Sequence, residues 1–397
     1  MAEREVDWVD SQAGLEDLAA ELVDVEAIAV DTEFHREKTY YPHVALVQIA
    51  WADGLALIDP LELDLEPLAK VITGNPVVVA HAAEQDLEVL DRSCGAIPRE
   101  LFDTQVAAGF IGFSTPSLGT LVSELLDIKL PKADRLTDWT RRPLSATQRT
   151  YAAADVAHLL ELQSVICDRL QTMGRLEWAR QECALLLARR TAHDPTVAWW
   201  RMKDARGLRG RTRGVAQAVG EWREREAMRR DLPARFVLSD MALASLVHRA
   251  PTTREELGEI RGLDARSLRA QMVEGLLAAV ARGVDLPASE VRVPPTDELT
   301  RELRPAVALV ASWVAQLART VRIDATLLAT RSDIAAFLRG DSDARLANGW
   351  RNHLIGGPIR RLVEGEAALA FAGDGQLVLE ERSHRVVPVE IPTTGEG

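Results

Sequence analysis

The sequence predicts an α/β domain with a mixed sheet, followed by all-α helical domains. Short apolar runs at 27–30, 44–51, 55–58 and 77–80 alternate with helix-length segments, as in a layered α/β fold. Past residue 190 the pattern changes to capped helices punctuated by Pro and Gly. Charge changes along with it. Residues 1–165 carry 12 Lys+Arg against 29 Asp+Glu, a net of −17, whereas residues 166–397 carry 35 against 31, a net of +4.

The composition sets outer limits. A chain of 397 residues has room for two or three domains. Hydrophobic content of 47% with 27% charged residues is ordinary for a water-soluble fold, and no apolar run approaches the ~20 residues of a membrane span. The acidic N-terminus lacks a signal-peptide core. Cys94, Cys167 and Cys183 are too widely spaced for a disulfide framework or a thiolate zinc site. A reducing cytoplasm is the expected compartment.

Taken in order, a short strand and a helix near 12–24 precede the strand ending in Ala27-Ile-Ala-Val-Asp-Thr-Glu-Phe34. Strands 44–51 and 55–58 follow, with Asp53-Gly54 as a hairpin turn between them. A helix near 65–73 leads to strand 77–80, and helices fill most of 84–190.

Three stretches carry charge where a buried element should not. Asp31 and Glu33 alternate onto one face of their strand. They belong either to a solvated edge or to a site where a divalent cation offsets their repulsion, since Mg²⁺ and Mn²⁺ prefer carboxylate oxygens. Asp86 falls in the first turns of the helix after strand 77–80, near the strand's carboxyl end, where α/β sheets place ligands. It also fits a dipole-stabilising acid at a helix start. His81 beside it reads as a hydrogen-bonded structural residue. Tyr151 and Asp155, four apart on a helix expected from Ser145 to about Leu170, share one helical face. Ser145 with Gln148 forms a capping box at its start. A stray acid on an amphipathic helix explains Asp155 alone, but not four acids on three separate elements.

Asp31, Glu33, Asp86 and Asp155, with Tyr151 one turn before the last, resemble the DEDD superfamily of 3′→5′ exonucleases in its tyrosine-bearing branch. Asp31-Thr-Glu-Phe-His-Arg-Glu-Lys-Thr-Tyr-Tyr-Pro42, Val44-Ala-Leu-Val-Gln-Ile49, Phe102-Asp-Thr-Gln105 and Asp138-Trp-Thr-Arg-Arg-Pro-Leu144 resemble the ribonuclease D family. The resemblance covers about residues 5–190 and implies a ribonuclease H-like exonuclease domain. It implies that Asp31, Glu33 and Asp155 hold one metal. Asp31 would bridge to a second metal supported by Asp86, and Tyr151 would orient the attacking water. The implied cofactors are two divalent cations, Mg²⁺ or Mn²⁺. Lys132, Arg141 and Arg142 are read either as solvated surface or as phosphate contacts. Phe34 and Trp139 are read as core residues or as partners for nucleobases.

Residues 201–235 hold 11 basic and 5 acidic residues, as a nucleic-acid-binding arm would. Helices are expected at 214–230, 239–249, 253–260 and 264–282, with Thr253 and Glu256 as a second capping box. Leu232-Pro-Ala-Arg-Phe-Val-Leu-Ser-Asp240 and Glu259-Ile-Arg-Gly-Leu263 resemble the helicase-and-ribonuclease-D C-terminal (HRDC) domain. Ile323–Arg331 and Asn348-Gly-Trp-Arg351 resemble a degenerate second copy, and the tail from Gly373 reads as extended, then frayed. The expected domains are therefore an exonuclease over 1–190, an HRDC domain over 208–288, and a second HRDC-like domain over 295–397. Residues beyond about 206 are expected to bind substrate without entering the chemistry.

The function that follows is a metal-dependent 3′→5′ exoribonuclease that trims structured RNAs, tRNA precursors first, and releases 5′-mononucleotides. No membrane and no obligate protein partner are expected. The alternatives are an exonuclease with the same site that prefers DNA, and a non-catalytic RNA-binding protein on an exonuclease scaffold.

Overall fold

A computed structural model describes residues 6–131, 137–189, 194–263, 269–294, 299, 301 and 303–383. Six strands form one mixed sheet: β1 (Asp7–Val9), β2 (Ala27–His35), β3 (His43–Ala50), β4 (Leu55–Ile58), β5 (Val77–Ala80) and β6 (Leu101–Asp103). Their order is β1-β4-β3-β2-β5-β6. The central β4-β3-β2 run is antiparallel, while β1, β5 and β6 pair parallel to their neighbours. Strand β2 owes its continuous apolar start to this central place, with Ile28, Ala29 and Val30 all buried. Helices α1 (Gln12–Leu22), α2 (Glu66–Ile72) and α3 (Glu84–Cys94) lie between strands, and α4 (Thr104–Ala108), α5 (Leu118–Leu126), α6 (Ala146–Ala157), α7 (Leu159–Thr172), α8 (Leu176–Ala188) and α9 (Arg211–Arg230) come after β6. Leu15, Leu22, Leu68, Ile72, Val47, Ile49 and Ile58 fill the core between α1, α2 and the sheet.

The expected helix from Ser145 to Leu170 is two helices, because the backbone departs from helical geometry at His158 (φ −115°, ψ 1°). Ser145 and Gln148 form the reciprocal capping box that their spacing implies. The second box is different. Thr253 caps its helix, but the Glu256 carboxylate accepts from Thr252 N–H at 2.6 Å instead of turning back to Thr253.

The basic connector is more ordered than its composition implies. Pro195–Arg201 and Ala205–Gly207 are 3₁₀ turns, and α9 begins at Arg211. Helix α9 is the spine of a helical module completed by Ala234–Val237, Asp240–Arg249, Arg254–Gly258 and Ala270–Asp285. Residues 264–268, at the expected start of the last helix, lie outside the described residues. Trp199, Val215, Val219, Leu243, Leu246, Leu276 and Val280 form the module's core. At its narrowest point, glycines let two backbones meet. A Cβ on Gly214 would lie 2.3 Å from the Gly283 carbonyl oxygen, and one on Gly283 would lie 2.5 Å from Val215 Cα.

The chain divides into two compact units. One unit holds the residues up to Val106, Ser117–Asp168 and Ala179–Thr296, so the sheet and the α9 module belong together. The other gathers Ala107–Pro116, Arg169–Trp178 and the chain beyond 297. Within this second unit Trp178 stacks on Trp350 at 5.1 Å and Phe110 packs edge-on to Trp350 at 5.2 Å. Each unit contains the same local pattern. A long helix ends in a left-handed residue (Asp231, φ 49°; Arg322, φ 52°), then a four-residue helix (Ala234–Val237; Ala325–Leu328), then a hydroxyl-capped helix starting after Ser239 or Thr330. The C-terminal region is not wholly helical. Ala367–Phe371 and Leu377–Glu381 pair as an antiparallel hairpin, turned through Gly373 and Gly375 at positive φ. The expected fraying concerns residues beyond 383, outside the described residues. Among the described residues no single helix is long and apolar enough to cross a membrane.

The Gly283 contact supplies a test. Its neighbours are backbone atoms that cannot rotate away, so Gly283→Ala must force the two helices apart. Overpacking of this kind costs about 1–3 kcal/mol. Gly119→Ala, in helix α5 with nothing within 4 Å of the new Cβ, should instead gain roughly 0.5–1 kcal/mol from helix propensity. Urea denaturation of the two variants should show opposite signs.

Candidate active site

Strand β2 runs past the end of its pairing partner. Only Ala27–Ala29 pair with β5, so Asp31 and Glu33 extend over the carboxyl edge of that strand. A bulge between Glu33 and Phe34 shifts the β2–β3 register where the carboxylates end. From β5 the chain turns through Ala82, held at φ 58°, and enters α3 with Asp86 in the first turn. Helix α6 brings Tyr151 and Asp155, with Ala152, Ala153 and Val156 buried on its packed face.

These elements enclose one open cavity of about 310 Å³, lined by Asp31, Thr32, Glu33, Phe34, His81, Asp86, Tyr151 and Asp155 among others. One carboxylate oxygen from each of Asp31, Glu33 and Asp155 lies within 4.8 Å of the others. Asp86 is held from the strand opposite: Thr32 donates its N–H (3.1 Å) and its hydroxyl (2.5 Å) to Oδ1. The Tyr151 hydroxyl donates to Asp155 one turn on.

The electrostatics are those of crowded, desolvated acids. Burial, then repulsion from Asp155 and Asp86, pushes Glu33 up to about 8. Burial raises Asp155 to about 7 in spite of the Tyr151 hydrogen bond, with Asp86 adding to the rise. Asp86 rises to about 6, burial outweighing its Thr32 bonds. Asp31 is driven well above the ordinary carboxylate range by burial and by all three neighbours. Burial and the adjacent carboxylates push the Tyr151 phenol upward, which keeps it protonated. Among the described residues no Lys or Arg lines the cavity, and such a set of oxygen donors fits a hard divalent metal.

The remaining expected contacts separate on inspection. Phe34 lines the cavity. The Trp139 ring lies 6.1 Å from the Tyr151 ring, at the site's edge. Arg142, expected to touch substrate, is fully engaged by the protein. Its Nε and Nη2 bond the Asp59 carboxylate, Nη2 also reaches the Ala45 carbonyl (2.7 Å), and Nη1 reaches the Trp139 and Arg141 carbonyls (2.8 and 2.9 Å). With all five N–H donors used, it fastens the loop before α6 to the sheet and has none left for phosphate. Arg141 is 84% exposed and pairs with Asp138 at 3.3 Å. Lys132 lies outside the described residues.

Two supporting residues escaped the sequence reading. Thr32 sits between the two acids of β2 and orients Asp86. Asp103, fully buried, accepts from four backbone N–H groups: Ala82 (3.2 Å), Ala83 (2.8 Å), Gln105 (2.8 Å) and Val106 (3.1 Å). It thereby fixes the strained turn into α3. His81 is hydrogen-bonded, as expected: its Nδ1 meets Thr104 Oγ1 at 2.9 Å, and the residue also lines the cavity.

Comparison with known proteins agrees with this geometry. Residues 6–173 match the 3′-5′ exonuclease family model, and residues 212–280 match that of the HRDC domain. The chain is 38% identical over 363 residues to ribonuclease D of Jannaschia sp., covering 89% of this chain and 94% of the relative. The chain belongs to the ribonuclease D family. Ribonuclease D of Nitrobacter hamburgensis is 34% identical over 387 residues, with 95% and 100% coverage. Among solved structures, ribonuclease D of Escherichia coli superposes with a TM-score of 0.80 at 31% identity, over 91% of this chain and 99% of the other. The catalytic core of RRP6 from Trypanosoma brucei gives 0.56 at 26% identity, over 72% and 81%. This chain is accordingly a 3′→5′ exoribonuclease with the ribonuclease H-like fold followed by a helical HRDC region.

The raised carboxylates make the metal-free protein sensitive to pH. An acid whose folded pKa exceeds its unfolded value of about 4 stabilises the fold below that value and loses the contribution as pH rises through the folded pKa. Here that window runs from about 4 up to the value of about 8 for Glu33. In excess chelator the melting temperature should therefore fall from pH 5 to pH 8, and Asp155→Asn should flatten the fall. Mg²⁺ at pH 8 should restore stability to the wild type with release of protons.

Proposed function

We propose that the enzyme trims the 3′ ends of structured RNAs, tRNA precursors being the expected substrates, and releases 5′-mononucleotides with two Mg²⁺ or Mn²⁺ ions. The observation that carries this reading is the meeting of Asp31, Glu33, Asp86, Asp155 and Tyr151, drawn from three separate elements, around one cavity. Support for the substrate comes from the E. coli relative, described as an exoribonuclease involved in structured RNA processing. In this reading Asp31, Glu33 and Asp155 hold one cation, and Asp31 with Asp86 holds the other. Bound there, divalent cations activate water and stabilise charge on the departing 3′-oxygen.

The chain's own residues do the positioning. The Tyr151 phenol lines the cavity beside Asp155 and keeps its proton, so its oxygen can accept from a water. It cannot act as the base, since its pKa lies above the ordinary value of about 10. Thr32 fixes Asp86 to β2. Phe34, lining the cavity, and Trp139, beside Tyr151, offer aromatic faces to the terminal nucleotides.

Chelation should abolish hydrolysis of a 3′-extended tRNA, and Mg²⁺ or Mn²⁺ should restore it; full activity in excess EDTA would refute the metal assignment. Matched RNA and DNA oligonucleotides test the polymer, with faster turnover expected on RNA.

Asp155→Ala and Tyr151→Phe separate ligand from positioner. The first removes a charged donor and should leave almost no activity. The second removes one hydroxyl, and misplacing a nucleophile by ~1 Å costs ~10²-fold. Tyr151→Phe should thus be slow yet measurable, with near-normal RNA affinity and an unchanged circular dichroism spectrum. Full turnover in that variant, where chemistry limits the rate, would make Tyr151 a packing residue.

A further inference from the structure

We propose that helix α9 of the HRDC module is part of the positioning apparatus of the nuclease site, with Asp231 and Glu224 as positioning residues. The inference rests on the functional reading above and adds a role that the helical module's sequence does not announce. The intermediary is the irregular loop Arg36–Pro42, which leaves β2 directly after the Glu33–Phe34 bulge and returns as β3.

That loop is fastened on two sides. Toward α9, Asp231 Oδ1 accepts the N–H groups of both Tyr40 and Tyr41 at 3.0 Å, and its Oδ2 meets His43 Nε2 at 2.6 Å. The Tyr40 hydroxyl donates to Glu224 at 2.7 Å, and the Glu224 side chain is only 3% exposed. Toward α3, Arg36 grips Glu88 through two bonds of 2.6 and 3.0 Å, and the Arg92 guanidinium covers the Tyr41 ring at 3.8 Å. Glu88 lies two residues beyond Asp86 on the same helix.

The loop is therefore a clasp joining three elements: β2 with Asp31 and Glu33, α3 with Asp86, and α9. Glu224 is a buried acid held by two partners, the Tyr40 hydroxyl in the loop that reaches both β2 and α3, and Arg201 Nη2 at 3.5 Å.

Asp231 provides a clean test because it caps α9 at φ 49°. Gly tolerates that backbone, so Asp231→Gly removes the carboxylate without adding strain, while Asn also tolerates it and keeps an acceptor for the two N–H groups. The full-length variants, with Tyr40→Phe, should be assayed on a short single-stranded RNA too small to engage the helical module. Mn²⁺ affinity, read by electron paramagnetic resonance without RNA, supplies a second measure.

Asp231→Gly should lower kcat by about tenfold, within the range that small misplacements produce, with KM little changed and Mn²⁺ bound several-fold more weakly. Asp231→Asn should recover most of both, and Tyr40→Phe should fall between, with thermal melts showing each variant folded. Unchanged kcat and Mn²⁺ affinity in folded Asp231→Gly would overturn the proposal, as would equal losses in the Gly and Asn variants. Should Asp231→Gly fail to fold, Tyr40→Phe decides by the same two measures. If the wild-type chain left RNA intact, the functional reading would fall, and the Mn²⁺ affinities would still decide the clasp.

Discussion

Four carboxylates that repel one another are held in a cavity where water cannot fully screen them. Asp31, Glu33, Asp86 and Asp155 all sit above their ordinary pKa, burial being the largest cause each time. The site's own hydrogen bonds, from Thr32 to Asp86 above all, offset only part of that. The acids are kept together by rigid elements whose stability is made elsewhere: a central strand with a buried apolar start, a helix with a complete capping box, and a turn pinned by Asp103. A site that works against the fold is common where function requires charge to be concentrated. It also explains why three elements far apart in sequence are each locked so firmly at the point where they approach the cavity.

Charge along the chain follows the same logic. The acidic excess lies in the part of the chain that carries the cavity, and the basic excess lies where α9 and its connector run. Several of those arginines are not free to contact RNA. Arg229 is bonded to Glu226, Arg225 to Glu221, and Arg223 to Asp240 and the Leu238 carbonyl. A net count of basic residues thus overstates the surface available to phosphate. The arm's electrostatic attraction is a sum over exposed guanidinium groups, diluted by the acids that hold the module together.

The legible parts of this molecule were those with a short-range signature. Alternation put Asp31 and Glu33 on one face, helical spacing put Tyr151 and Asp155 on another, and Ser145 with Gln148 announced their own cap. Long-range roles were illegible for a physical reason. Arg142 looked like a phosphate contact because a basic residue beside a site has that appearance; only folding reveals that Asp59, 83 residues away, takes its charge. Asp103 looked like part of a motif without a task, since its four donors come from a turn twenty residues earlier as well as from its own helix start. The break at His158 carries no Gly or Pro, so nothing local marked it. The contacts that join the sheet to the α9 module were illegible for the same reason, since they pair residues such as Tyr40 and Asp231 that lie 191 apart.

That separation bears on how such a site can be built at all. Loops are the most mobile parts of a fold, and a nuclease needs its ligands fixed to a fraction of an ångström. The DEDD carboxylates stand on a strand and two helices, which answers part of the demand, but β2 ends in a bulge and an irregular loop just where Glu33 must be held. A second module that closes on that loop converts its mobility into a fixed connection, at the expense of tying catalysis to the integrity of a helix nearly two hundred residues downstream. In this arrangement the close Gly214–Gly283 crossing acquires a consequence beyond its own module. It sets where α9 lies, α9 sets where Asp231 and Glu224 lie, and these hold the loop that follows the first two acids of the site.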